Sequence, residues 1–235
     1  METPERAAVS GPTFIRLLAR LSDTDISPPG QALSDRLSQW IDWTHAVVLS
    51  TALDARPAET DSEAHDSADA DDCARVRAAL IQAIVSDRAL RVPEDGVDET
   101  PVDPGFFRQR YLMLQQSMEA GSGRLRERLR DRLAQGPADM ARLAAVDAVM
   151  ERALGRRERA LLSTVPALLG QHFERLRGGA PGPDDAATGD MPVAASDAWL
   201  DVFRRDMRNV LLAELDVRLQ PAEGLLAALR QRNAG

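Results

Sequence analysis

The chain has 235 residues, 44% of them apolar and only 4% aromatic, and a net charge of −8. That composition supports one larger or two smaller domains, packed mainly by Leu, Ala, Val and Met. A single cysteine, Cys73, excludes an intrachain disulfide and a thiolate metal cluster, and no run approaches the roughly 18 apolar residues of a membrane span.

Helix formers dominate, and no segment alternates with the period of a strand. The first predicted helix covers about 13–21 in "GPTFIRLLARL". Arg16 and Arg20 break its apolar run, so it is no signal peptide, and a soluble cytoplasmic protein is expected. "SPPG" at 27–30 separates it from "QALSDRLSQWIDWTHAVVLSTAL", read as one amphipathic helix. Leu33, Leu37, Trp40, Thr44, Val47 and Thr51 fall at heptad-like spacings of 4, 3, 4, 3 and 4, a stripe for pairing with another helix. Trp43 follows Trp40 by three residues, and both are expected in core or helix–helix contacts ahead of an exposed binding patch. Residues 54–72, "DARPAETDSEAHDSADADD", hold no large apolar anchor and read as a disordered acidic linker. A third helix opens at Cys73, buries Val76, Leu80, Ile84 and Leu90, and stops at Pro93 before a polar loop.

The longest helical region begins near Pro104, with Phe107, Tyr111, Leu114 and Met118 on its buried face. "GSG" at 121–123 is expected to interrupt it, and Leu125, Leu129 and Leu133 resume the stripe. Gly136 and Pro137 make a tight connection to the next helix. That helix is expected over 138–177 with a kink at Pro166, which has no N–H to donate. Long helices joined by so short a turn are antiparallel neighbours, so a long helical hairpin is predicted. Residues 178–195, "GGAPGPDDAATGDMPVAA", read as a flexible linker. Ser196 is a candidate N-cap for a helix burying Leu200, Phe203, Met207 and Val210, and Pro221 is expected to split off a last short helix. The expected organisation is an N-terminal helical region (1–53), an acidic linker (54–72), a hairpin region (73–177), a second linker (178–195) and C-terminal helices (196–235). The fold class is all-α: amphipathic helices around a long antiparallel hairpin, with disordered acidic linkers.

Charge is distributed unevenly. Residues 54–103 hold five Arg and fourteen acids, net −9, whereas residues 104–178 hold fourteen Arg and eight acids, net +6. All 29 basic residues are arginine. GC-rich codons account for that without a function; selection for guanidinium forks toward carboxylate or phosphate is the competing account. The basic centre is "RLRERLRDRL" at 124–133. On a helical wheel Leu125, Leu129 and Leu133 span about 80° of one face. Arg124, Arg128 and Arg132 flank this seam on one side, Arg126 and Arg130 on the other, with Glu127 and Asp131 on the outer face. The preferred reading is a packed seam whose arginines lay their stems over it and keep their heads in water, with Glu127 pairing to Arg124 and Arg130. An acidic partner, including the chain's own 59–72 segment, ranks second. Nucleic acid ranks last, because the ridges straddle the seam, no aromatics interleave and the net charge has the wrong sign.

Other groups say less. His45, His65 and His172 have no metal-ligand spacing, and "DADD" at 69–72 lacks the glycine and final glutamate of a calcium loop. Cys73 opens its predicted helix, where the dipole lowers a thiol pKa and Asp71 and Asp72 raise it; an inert thiol is expected. "GSGR" has neither Walker spacing nor a lysine. No cofactor, metal or small-molecule ligand is expected, and no nucleophile–base pair points to an enzyme.

"SGPTFIRLLARLSD", "LSDRLSQWIDWTHAVVLSTAL" and "GFFRQRYLMLQQSMEAGSGRLRERLRDRLA" together resemble an uncharacterised proteobacterial family, domain of unknown function 3348. The resemblance covers most of the chain and leaves 54–72 and 178–195 as variable parts. It implies an accessory role beside a bacterial envelope complex and assigns no catalytic or binding residue. The function expected is a non-enzymatic helical scaffold or adaptor, with a protein partner or self-association. The alternative is an anion- or nucleic-acid-binding protein using the hairpin arginines.

Overall fold

The computed structural model describes residues 13–22, 32–54, 66–91, 102–179 and 198–233. Among them the chain is all-α, with no strand. The helices are α1 (Thr13–Ser22), α2 (Leu33–Trp40), α3 (Trp43–Asp54), α4 (Asp66–Val85), α5 (Pro104–Ala134), α6 (Ala138–Leu162), α7 (Val165–Gly178) and α8 (Ala198–Asn233), with a 3-10 turn at Arg88–Leu90. Most of both expected linkers (55–65 and 180–195), the loop at 92–101, His65 and the Ser196 cap lie outside the described residues.

Five boundaries differ from the sequence reading, each for a local reason. The segment 31–53 is two helices, because Asp42 caps α3: its carboxylate accepts the His45 N–H at 2.9 Å. The segment 54–72 is not wholly linker. α4 starts at Asp66 rather than Cys73, placing Asp69 near a helix start where the dipole favours negative charge. "GSG" does not interrupt α5. A Cβ on Gly121 would lie 3.1 Å from both δ-methyls of Leu80, so this glycine serves close approach of α4 instead of a break. Residues 138–177 divide at Ser163 and Thr164, whose hydroxyls donate to the carbonyls of Ala160 and Leu161. Pro166 then falls in the first turn of α7, where a missing N–H costs nothing. Pro221 lies inside a continuous α8. An interior proline costs about 3 kcal/mol. Leu219, Leu225, Leu226 and Leu229 are buried on either side of it, at roughly 1.5–3 kcal/mol each, which outweighs that cost.

The described residues fall into two compact units, with α4, α5 and α8 each contributing to both. One comprises the described residues within 1–28, 83–115 and 165–214. Its core is aromatic: Phe107 (α5), Phe173 (α7) and Phe203 (α8) meet at ring-centroid distances of 5.9, 5.1 and 5.0 Å, and Trp199 stands edge-on to Phe173 at 5.1 Å. The scarce aromatics are therefore concentrated here, where their large area does most per residue. The void beside them measures only about 10 Å³, room for a single water at most. α1 packs on α7, and the Arg175 guanidinium donates to the Leu21 carbonyl at the end of α1.

The other unit comprises the described residues within 29–82, 116–164 and 215–235. Here α6 runs antiparallel to α5, as the hairpin geometry requires: Glu119 pairs with Arg159, Arg126 with Glu151 and Arg130 with Asp147. α4 also runs antiparallel to α5, with Leu80 against Gly121, Asp72 on Arg128 and Asp69 toward Arg132. Arg77 of α4 pairs with Asp216 and Glu223 of α8, and α3 packs on α6.

Candidate interaction surfaces

The basic segment 124–133 occupies the C-terminal half of α5. Leu125, Leu129 and Leu133 are all buried, so the seam is a packing face. The two arginine ridges beside it meet different partners. On one side Arg126 donates from Nε and Nη2 to both oxygens of Asp147, at 3.2, 3.0 and 2.7 Å. Arg130 reaches Asp147 at 3.2 Å and Glu151 at 2.6 Å. Burial works against the Arg130 charge, but Glu151 and Asp147 outweigh it and hold its pKa above the ordinary value. These side chains are only 15% and 18% exposed, and Asp147 only 12%.

On the other side Arg128 binds Asp72 through Nε and Nη2 at 3.0 and 2.5 Å, and Arg132 approaches Asp69 at 3.5 Å. These pairs are wetter, with Arg128 49% exposed. Arg124 is exposed and has no ion pair among the described residues. Arg130 turns to α6 and not to Glu127. The sequence treated both ridges as equivalent wet flanks; one is instead half-buried in a helix–helix contact.

The second surface is α2–α3. Leu33 opens α2, and its side chain lies outside the described residues. Leu37 is half-buried. Trp40 is half-buried beneath the Arg157 guanidinium, 4.4 Å from its ring centre. Trp43 is 83% exposed and Val47 46%, with Val48 and Leu53 also exposed. Seven of the twelve residues of α3, "WTHAVVLSTALD", are apolar or aromatic, and yet none is buried. Of the expected stripe, Leu37 and Trp40 before the break at Asp42 are half-buried, whereas Thr44, Val47 and Thr51 after it are exposed.

Sequence reasoning missed a polar node in the first unit. The Tyr111 hydroxyl and Gln115 Nε2 donate to the fully buried Glu214 carboxyl, the latter at 2.9 Å. The signal was present: Phe203, Met207 and Val210 define a buried stripe whose next position is 214. Arg110 similarly reaches buried Asp87, whose carboxylate caps the 3-10 turn through Ala89 N–H. In the second unit Glu119, Glu151, Glu158, Arg126, Arg159 and Arg218 line a cavity of about 80 Å³. Its three acids and three bases balance, so it selects neither cations nor anions by net charge.

Cys73 lies in the third turn of α4, away from the helix start that would lower its pKa. Burial and then Asp72 and Asp69 push the thiol up. Among the described residues no group of His, Cys, Asp and Glu is placed to hold a metal, and no helix is long and apolar enough to cross a membrane.

No curated protein and no solved structure matches the chain. The model of the family described as "Protein of unknown function (DUF3348)" matches residues 1–231, and the chain belongs to that family.

Proposed function

We propose that this chain is a non-enzymatic helical adaptor that acts through protein–protein contacts, with α3 as its docking helix. The observation that supports this reading is the exposure of Trp43, Val47, Val48 and Leu53 on a helix that buries nothing of its own. Residues 1–12, 23–31, 55–65, 92–101 and 180–197 contain no two adjacent large apolar residues to offer as a cover. The occupant is an amphipathic helix of another protein with basic flanks. α3 is bounded by Asp42 and Asp54 and has no arginine. Two copies would therefore oppose carboxylate to carboxylate in either orientation, which disfavours self-pairing.

The alternative, anion or nucleic-acid binding through the hairpin, has less support, because Arg126, Arg128, Arg130 and Arg132 already face carboxylates. The adaptor reading is tested by light scattering at micromolar concentration and by capture from native lysate, with Trp43→Ser/Val47→Ser alongside. It expects a monomer and a captured partner that the double variant loses at unchanged helicity. Capture indifferent to both substitutions would sink it.

A further inference from the structure

The carboxylates that meet Arg128 and Arg132 sit on turns without a large apolar anchor. Residues 66–72 of α4 read "DSADADD", without a large apolar side chain. The first such anchors are Val76, half-buried, and Leu80, buried against Gly121. Ahead of them, among the described residues, Asp72 to Arg128 and Asp69 to Arg132 tie this end of α4 to α5. Both pairs are partly solvated, and screening weakens such pairs. Arg124 extends the same ridge by one turn and is exposed. Three guanidiniums four residues apart thus form a ridge about 12 Å long.

We propose that the Arg124–Arg128–Arg132 ridge is a docking surface for an acidic segment of a protein partner, and that the first two turns of α4 occupy it as a displaceable stand-in. The proposal rests on the adaptor reading for the class of partner, but it uses a different surface and a different probe. The bound state supplies the template: carboxylates at a spacing of three on a helix antiparallel to α5. A partner helix with acids at spacings of three or four reproduces that pattern and adds Arg124, which α4 does not engage. Displacement is easy because no apolar side chain must leave a core. The ridge is too short for a polyphosphate backbone, whose binding grows with the number of phosphates neutralised. The other two arginines of the segment are committed to Asp147 and Glu151.

The test uses the full chain and a fluorescent synthetic peptide of residues 59–72, read by anisotropy. Asp69→Asn/Asp72→Asn frees the ridge and should tighten peptide binding about three- to tenfold, since two surface pairs no longer compete. Adding Arg128→Gln/Arg132→Gln should abolish that gain, and rising salt should erase it. In the unaltered chain, amide exchange over 68–74 should quicken as salt rises while 80–85 stays unchanged. Absence of the gain, its survival without the two arginines, or exchange indifferent to salt would each overturn the proposal. A short DNA duplex that binds the freed ridge in preference to the peptide would also overturn it. Failure of the Trp43/Val47 experiment would leave all these readouts interpretable.

Discussion

Truncating the seam and neutralising each ridge should cost different amounts, and the structure ranks them. Leu129 is buried between two arginine ridges, so Leu129→Ala removes a packed side chain and leaves a cavity. The expected loss is about 2–4 kcal/mol, or roughly 5–15 °C in thermal midpoint for a chain of this size. Arg126→Gln/Arg130→Gln strands Asp147, which is 12% exposed, together with Glu151. A partly buried carboxylate without its counter-charges should cost about 1–3 kcal/mol, beyond the value of a surface pair. Arg128→Gln/Arg132→Gln breaks wetter pairs and should cost under about 1 kcal/mol. Adding Asp147→Asn to the Arg126/Arg130 double variant should restore part of its loss, because the penalty lies in the stranded charge. Denaturant unfolding followed by circular dichroism measures all four. Equal losses for the two arginine doubles, or Leu129→Ala within about 0.5 kcal/mol of the unaltered chain, would refute this account of the hairpin.

Gly123→Ala should stabilise the chain by about 0.5–1 kcal/mol, since a Cβ there meets nothing within 4 Å. Gly121→Ala should give up that gain against Leu80; equal gains in denaturant unfolding would contradict the packing role of Gly121. Cys73 should alkylate more slowly than a free thiol near pH 8, with its rate–pH curve displaced upward, and Asp72→Asn should move the curve back. The Asp42 pKa is lowered from 3.8, chiefly by the His45 N–H bond. The cap's contribution is therefore present above the unfolded value and is lost as pH falls through the lower folded pKa, so exchange protection in the first turn of α3 should decline as the pH drops below 3.8. Arg126→Lys should destabilise the hairpin where Arg124→Lys does not, a difference readable by the same unfolding assay.

Period and partner were unequally legible in the sequence. The spacing of Leu125, Leu129 and Leu133 identified a buried seam because burial follows helical periodicity directly. The same rule gave Leu80, Ile84, Phe107, Tyr111, Phe203 and Met207, all buried. Helix continuity was less legible, because Gly, Pro and Asp have two uses each. Gly121 reads as a break and acts as a contact; Pro221 reads as a stop and is overridden by buried leucines; Asp42 reads as one more polar position and acts as a cap. The site's partners were hidden by distance along the chain. Asp147 lies 21 residues from Arg126, and Asp72 lies 56 from Arg128. A wheel shows which side of a helix an arginine occupies, not which helix lies across from it.

The all-arginine composition has the same double character. On the codon-usage account every base in the chain is arginine without a function, Arg124 included, whose side chain is exposed. It does not explain why Arg126 holds Asp147 with two nitrogens on two oxygens while Arg130 bridges the same carboxylate to Glu151. Such a fork needs a planar guanidinium, and an ammonium placed there satisfies one oxygen at a time. Composition supplied the residue type everywhere; the antiparallel approach of α6 gives it a chemical use only where a buried carboxylate lies within reach. The division between an acidic stretch and a basic hairpin is in this sense internal. Asp69 and Asp72 come from the acidic stretch, and the arginines they meet come from the hairpin. Arg126, Arg128, Arg130 and Arg132 are thus paired with the chain's own carboxylates, while Arg124 stays exposed at the end of its ridge, as do Trp43 and Val47 on α3.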